Sequence, residues 1–212
     1  MNAWNLIGVA AWIILVAYLI FIVINIRQRH LKMIVVHGKH RSGRTILLDL
    51  VEVIVFCAAL YGLVYAAWLR PTNFTNKAEA TVTYQYQPLV LQTDDKHSYY
   101  AEVRSGAGKN SLMHYTYWVE NAKVEVNSND ATVSNGSSIL NMQASHFPWN
   151  AKKLASMDQQ TDKAFVATIK AKYKGNFLNG LGLRAGKVGD TFSLIRVPSD
   201  DFTTIVPLND GK

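Results

Sequence analysis

The sequence predicts a membrane protein: an N-terminal two-helix transmembrane hairpin followed by a β-rich (α+β) extracytoplasmic domain. Three observations carry this reading. Two charge-free apolar runs, residues 3–26 and 53–69, flank a segment at 27–44 that holds six Lys/Arg and no acid. At about 1.5 Å rise per residue, each run, the second counted from Ile46, can cross a hydrocarbon core of roughly 30 Å. Beyond them, apolar and polar residues alternate with a period of two in several stretches, the mark of half-buried strands. Positive charge in so short a loop marks the cytoplasmic side. The chain therefore reads as a two-span protein of the cell membrane with both termini extracytoplasmic. Residues 1–70 form the hairpin, with a basic cytoplasmic loop at 27–45, and residues 71–212 form the outer domain.

Composition agrees once it is divided by region. The 212 residues carry a formal net charge of +7, a balance that in a soluble module would point to nucleic acid. Six of the positive charges lie in the loop, however, and residues 70–212 hold sixteen Lys/Arg against thirteen Asp/Glu. The excess is a topology signal and an anchor to lipid headgroups, so nucleic acid is not expected as a partner. Cys57, the single cysteine, lies in the second run, which leaves the outer domain without a disulfide. A disulfide-free outer domain rich in Asn, Thr, Gln and Lys fits a Gram-positive bacterial envelope protein.

Span one covers residues 4–26, with Trp4 and Trp12 toward its outer half and Arg27 and Arg29 stopping it. It has no basic n-region and no small-x-small cleavage site, so it reads as an uncleaved span. The loop interior, residues 31–36, is apolar enough to lie on the inner leaflet. His30, His37 and His40 lack acid or thiol companions and share no helical face, so they read as solvated loop residues; no metal or cofactor is expected. Span two covers residues 46–69, capped by Ser42 or Thr45 and ended by Arg70-Pro71. Within it Asp49 and Glu52 share one face near the helix start, where the dipole and Arg41 or Arg44 can pair them. Ala58, Gly62 and Ala66 recur every four residues and form a groove for close helix packing, open to span one, a membrane-protein partner or a second copy of the chain.

In the outer domain strands are expected at 80–86, 89–91 and 99–104, the last closed by Gly106-Ala107-Gly108, then at 113–126 as one strand or two, and at 131–133. A helix is expected near 150–160, with Asn150 as N-cap and Trp149 and Leu154 at the two positions of a hydrophobic staple. Next, Phe165, Ala167, Ile169, Ala171 and Tyr173 alternate with Val166, Thr168, Lys170, Lys172 and Lys174, giving an apolar face and a lysine ladder. Residues 176–189 read as a glycine-punctuated loop without the spacing of a dinucleotide fingerprint. Closing strands are expected at 191–197 and 202–206.

Catalytic patterns are missing: there is no Gly-x-Ser-x-Gly, His-Glu-x-x-His or Ser-x-x-Lys in the outer domain. Asp94-Asp95 and Asp200-Asp201 read as turn formers. The binding candidates are aromatic, because sugar rings stack on Tyr and Trp and aromatics dominate interface hot spots. Tyr115, Tyr117 and Trp149 are assigned to the core; Tyr99, Tyr100 and Trp118 are candidates for a surface platform. Lys170, Lys172 and Lys174 could meet an anionic polymer or phospholipid heads, or serve as an outward face guarding against edge pairing.

The first span, Arg41-Ser42-Gly43-Arg44-Thr45, the acidic second span, Tyr115-Thr116-Tyr117-Trp118 and Leu194-Ile195-Arg196-Val197-Pro198 together resemble a family of uncharacterised two-span membrane proteins of lactic-acid bacteria. The resemblance implies an envelope location and no reaction, ligand or catalytic residue. Two functional classes follow: a non-catalytic envelope module whose outer domain binds a cell-wall polymer, peptide or partner protein, and an accessory subunit of a membrane complex recruited through the hairpin.

Overall fold

The computed structural model describes residues 2–37, 43–95, 97–105, 112–120 and 122–206. The chain divides into two compact units. The first comprises Met1–Asn73, Ala78–Ala80 and Lys172–Val188; the second Phe74–Lys77, Thr81–Ala171 and Gly189–Lys212.

The first unit is built on two helices, α1 (Asn5–His37) and α2 (Gly43–Val64), each long and apolar enough to cross a membrane. α1 does not stop at Arg27. It contains no proline, and it carries Arg27, Arg29 and Lys32 on its final third, so the basic segment expected as a loop is helical on both sides of residues 38–42. The expected caps and partners Ser42 and Arg41 lie outside the described residues. α2 continues into a wide π turn at Tyr65–Leu69, where Arg70 turns extended (φ −72°, ψ 120°) because the ring of Pro71 disfavours a helical residue before it. The helices run antiparallel: Trp12 meets Trp68, and Asn25 and Arg29 meet Glu52. Leu15, Ile22 and Arg29 recur every seven residues on the covered face of α1, as Asp49, Phe56 and Leu63 do on α2, the spacing of a left-handed helix seam.

A further helix closes this unit where a loop was expected. α4 (Phe177–Leu181) is capped by Asn176, whose side chain accepts from Asn179 N. Sequence patterning misses it because five residues including a glycine look like a turn. Here the glycines serve close approach: a Cβ on Gly180 would stand 2.3 Å from Trp4 O, and one on Gly182 would stand 2.2 Å from Ala66 O. Arg184 holds the end of α2, donating from Nε to Ala67 O at 2.9 Å and from Nη1 to Arg70 O at 2.6 Å.

The second unit is a sandwich with a helix on one side. One sheet has the order β1 (Ala80–Pro88), β8 (Phe165–Tyr173), β9 (Val188–Arg196), β7 (Ala131–Ser134). The other has the order β10 (Thr203–Val206), β4 (Ala101–Ser105), β5 (Met113–Val119), β6 (Ala122–Asn127). β2 (Gln92–Thr93) and β3 (Ser98–Tyr99) form a separate ribbon. The stretch at 113–126 is thus two strands, paired antiparallel with Tyr117 opposite Val124. β10 lies parallel to β4, and β7 parallel to β9. The turn expected at Gly106-Ala107-Gly108 lies outside the described residues.

Ala101, Tyr115, Tyr117, Val166 and Ile195 fill the space between the sheets. On the far face Phe165, Ala167, Ile169, Phe192 and Leu194 are covered by Leu154 and Met157 of α3 (Ala151–Gln160). Full burial of each such large aliphatic or aromatic side chain contributes about 1.5–3 kcal/mol. α3 starts where the cap motif places it: Asn150 Oδ1 accepts from Lys153 N, and Trp149 donates from Nε1 to Ala144 O at 2.8 Å. β8 corrects the ladder reading. It is the second strand of its sheet, packed on both faces, so Val166 is buried, Thr168 meets Ser193 and Lys170 is half-buried; only Lys172 and Lys174 are exposed. A strand in that position needs no lysines to guard an edge.

Burial pushes the hydroxyls of Tyr115 and Tyr117 above their ordinary value of 10.0, in Tyr117 against a hydrogen bond with Ser193 that lowers it. The unfolded chain releases these protons first. Their contribution to stability is therefore whole below about pH 10 and is lost as pH rises above it toward the folded values. Thermal unfolding is expected at a lower temperature at about pH 11 than at about pH 8, and Tyr117→Phe should flatten that fall.

Candidate functional site

Tyr115, Tyr117 and Val119 of β5 enter the core, so Thr116 and Trp118 point to the opposite face of the sheet. Trp118 lies in register with Lys123 of β6, whose Nζ stands 5.4 Å from its ring centroid. Tyr99 meets the indole edge-on at 5.8 Å, and His97 lies 5.7 Å from Tyr99. These four side chains form a half-exposed aromatic row with a cation at one end. The structure brings Tyr99 and Trp118 together, whereas Tyr100 turns to Phe202, with centroids 5.5 Å apart. Lys170 is half-buried on the central strand and so is not part of an open cationic surface; Lys172 and Lys174 belong to the first unit. Sequence reasoning missed Lys123 and His97. The strand period could have found Lys123, because antiparallel pairing of Val119 with Ala122 places it opposite Trp118.

His97 is held firmly. Its Nε2 lies 2.6 Å from Thr204 Oγ1, its Nδ1 lies 3.7 Å from Asp94 Oδ1, and its backbone N–H donates to the same carboxylate oxygen at 2.9 Å. Hydroxyl, imidazole and carboxylate follow the order of nucleophile, base and orienter. Yet Asp94 and His97 close the turn between β2 and β3, and both side chains are about two-fifths exposed. The arrangement fixes the His97 ring beside Tyr99. Nearby on the sheet a shallow hollow of about 460 Å³ is lined by His114, Glu125, Val126, Asn127 and Asp130, with His114 and Glu125 3.8 Å apart. Such a surface can stack on an apolar ring face and hydrogen-bond its rim. Among the described residues no group of three or more His, Cys, Asp or Glu side chains is placed to hold a metal ion.

In the first unit Asp49 and Glu52 meet a partner on the other helix; the expected Arg44 is exposed, and the expected Arg41 lies outside the described residues. Arg29 of α1 donates from Nη1 to Asp49 Oδ1 at 2.7 Å and from Nη2 to Glu52 Oε1. Asn25 Nδ2 donates to the same Glu52 oxygen at 2.9 Å, and His30 Nε2 lies 3.3 Å from Asp49 Oδ2. His30 is thus paired rather than solvated; the side chain of His37 and all of His40 lie outside the described residues. Of the small-residue groove, Ala58 and Gly62 are exposed and Ala66 is buried, and a Cβ on Gly62 would meet nothing within 4 Å. α1 therefore does not fill the groove at Gly62.

A family model, described as ":-like", matches residues 3–204. No curated protein and no solved structure matches the chain.

Proposed function

The chain belongs to the ":-like" family, and from that premise we propose that it is a membrane-anchored envelope protein whose outer domain binds a cell-wall polymer, peptide or partner protein without catalysis. Anchoring is supported by the bare sides of the helices: only 17% of the most apolar window of α1 and 6% of that of α2 is buried, where a core helix of a soluble protein would be covered. The helices form a two-span hairpin. Arg27, Lys32 and Arg44 at its turn face the cytoplasm, which leaves both termini and the sandwich outside.

The observation that carries the binding role is the row His97, Tyr99, Trp118 and Lys123, in which Asp94 and Thr204 hold the His97 ring beside Tyr99 and Tyr99 meets Trp118 edge-on. Aromatic side chains packed against one another give contact area at little entropic cost, and their half-open faces suit sugar rings. The detergent-solubilised full-length protein is expected to co-sediment with isolated Gram-positive cell wall. Trp118→Ala should weaken retention about tenfold, the equivalent of one stacking contact. Failure of the wild-type protein to sediment with wall would remove the glycan reading.

One observation favours a second reading, an accessory subunit of a membrane complex: Ala58 and Gly62 present a small-residue face that α1 does not occupy at Gly62. Exchange of the hairpin for an unrelated one separates the two. The envelope module keeps its activity, and the subunit loses it.

A further inference from the structure

We propose that residues 174–187 are a membrane-interface wedge, in which α4 buries Phe177 and Leu178 among the headgroups and upper acyl chains of the leaflet reached by Trp4 and Trp68. The inference rests on the two-span hairpin and adds a third point of membrane contact to it. Its ground is position. α4 is clasped between the start of α1 and the end of α2: a Cβ on Gly8 would meet Gly180 O at 2.5 Å and Leu181 O at 2.8 Å, and Asn5 Nδ2 donates to Ala185 O at 3.1 Å. The segment therefore stands level with the first turns of one span and the last turn of the other, the depth at which a bilayer passes from acyl chain to headgroup.

The side chains exposed at that level are apolar. Phe177 is 57% and Leu178 51% exposed, beside Trp4 at 43%, Trp68 at 68% and Leu69 at 57%. Large aromatic and aliphatic side chains left this open on a five-residue helix are unfavourable in water and favourable in the interfacial layer, where indoles also settle. The backbone is prepared for such a place. Gly180 N donates to Asn176 O, Gly182 N to Leu178 O, Leu183 N to Gly180 O and Arg184 N to Asn179 O, so these turns need little from water. Asn179, only 1% exposed, donates to Glu79 O and Lys174 O. Exposed Lys174 and Lys187 flank the wedge and can lay their stems along it with the ammonium groups at lipid phosphates.

The test uses the full-length protein in a Cys57→Ser background, reconstituted into phosphatidylcholine vesicles containing phosphatidylglycerol. Single cysteines at Phe177→Cys, Ile54→Cys and Met142→Cys carry an environment-sensitive fluorophore. Nitroxide lipids quench either near the headgroup or near the bilayer centre. The wedge predicts that the probe at 177 is quenched about twofold more by the shallow nitroxide than by the deep one, that the probe at 54 shows the reverse, and that the probe at 142 is quenched by neither. A probe at 177 as unquenched as that at 142, with 54 still quenched, overturns the wedge and leaves the hairpin standing. Lack of quenching at 54 overturns the hairpin and the wedge with it. Leu178→Cys serves as the second reporter if the variant at 177 does not fold.

Discussion

Arg29→Leu is expected to destabilise the helix hairpin by about 3–5 kcal/mol, because it removes a cation that bridges two poorly exposed carboxylates. The side chains of Asp49 and Glu52 are only 15% and 19% exposed, and both lean on the same guanidinium. Glu52 Oε2 is buried without a hydrogen-bond partner even with Arg29 present. Asn25 can still serve one oxygen of Glu52 and His30 one of Asp49, but neither spans both acids. Arg29→Lys should recover only part of the loss, since a compact ammonium cannot reproduce two divergent N–H bonds. The neutral triple variant Arg29→Leu, Asp49→Asn, Glu52→Gln should recover most of it. A denaturing-detergent titration of the full-length protein, read by energy transfer between labels on α1 and α2, measures all three. If Arg29→Leu unfolded at the wild-type detergent fraction, Arg29 would not be the pairing partner of the two acids.

That pairing shows where sequence reading stopped. The acids are legible as an anomaly, but proximity along the chain points to Arg41 and Arg44 and gives no hint of Arg29 on the other helix. The antiparallel helices instead bring Asn25 and Arg29 of α1 against Glu52 and Asp49 of α2, partners 27 and 20 residues apart along the chain. The two apolar helices are legible because charge-free apolar runs as long as residues 3–26 and 53–69 have few other solutions. The cap at Asn150 was legible because it depends on neighbours three residues apart. β8 was legible as a strand but not as a central one, since strand order depends on which distant segments pair, and no local pattern shows β10 lying parallel to β4. α4 escaped because its stability comes from Trp4 and Ala66 rather than from its own five residues. Of the aromatic row, the chemistry of their rings marks Tyr99 and Trp118 together with Tyr100, while the turn of Tyr100 to Phe202 and the restraint of His97 by Thr204 need the fold.

The second unit contains an ion pair of the same kind with a different expected outcome. Arg196, the last residue of β9, is 0% exposed. It donates from Nε to Asp158 Oδ1 of α3 at 2.9 Å, and from Nη1 to Ser134 Oγ and Ser138 O, both at 3.3 Å. One side chain therefore ties the covering helix to the edge strand β7 and the turn that follows it. Arg196→Met keeps the volume and strands Asp158 and the Ser138 carbonyl, so it should destabilise by about 3–5 kcal/mol. On a unit of this size that shifts the midpoint of thermal unfolding by more than about 10 °C. Arg196→Lys should fall between the two, because one ammonium cannot reach both the carboxylate and the turn. Pairing Arg196→Met with Asp158→Leu removes the stranded charge. Nη2 of Arg196 already lacks a hydrogen-bond partner in the folded protein, so the double variant is expected to be far more stable than the sum of the two single changes allows. Near-ultraviolet circular dichroism, which reads the packing of Phe147, Trp149 and Phe192 on the same side of the sheet, follows unfolding of this unit. Strictly additive effects of the two substitutions would mean that Asp158 and Arg196 do not depend on each other, and the helix would then be held by Leu154 and Met157 alone.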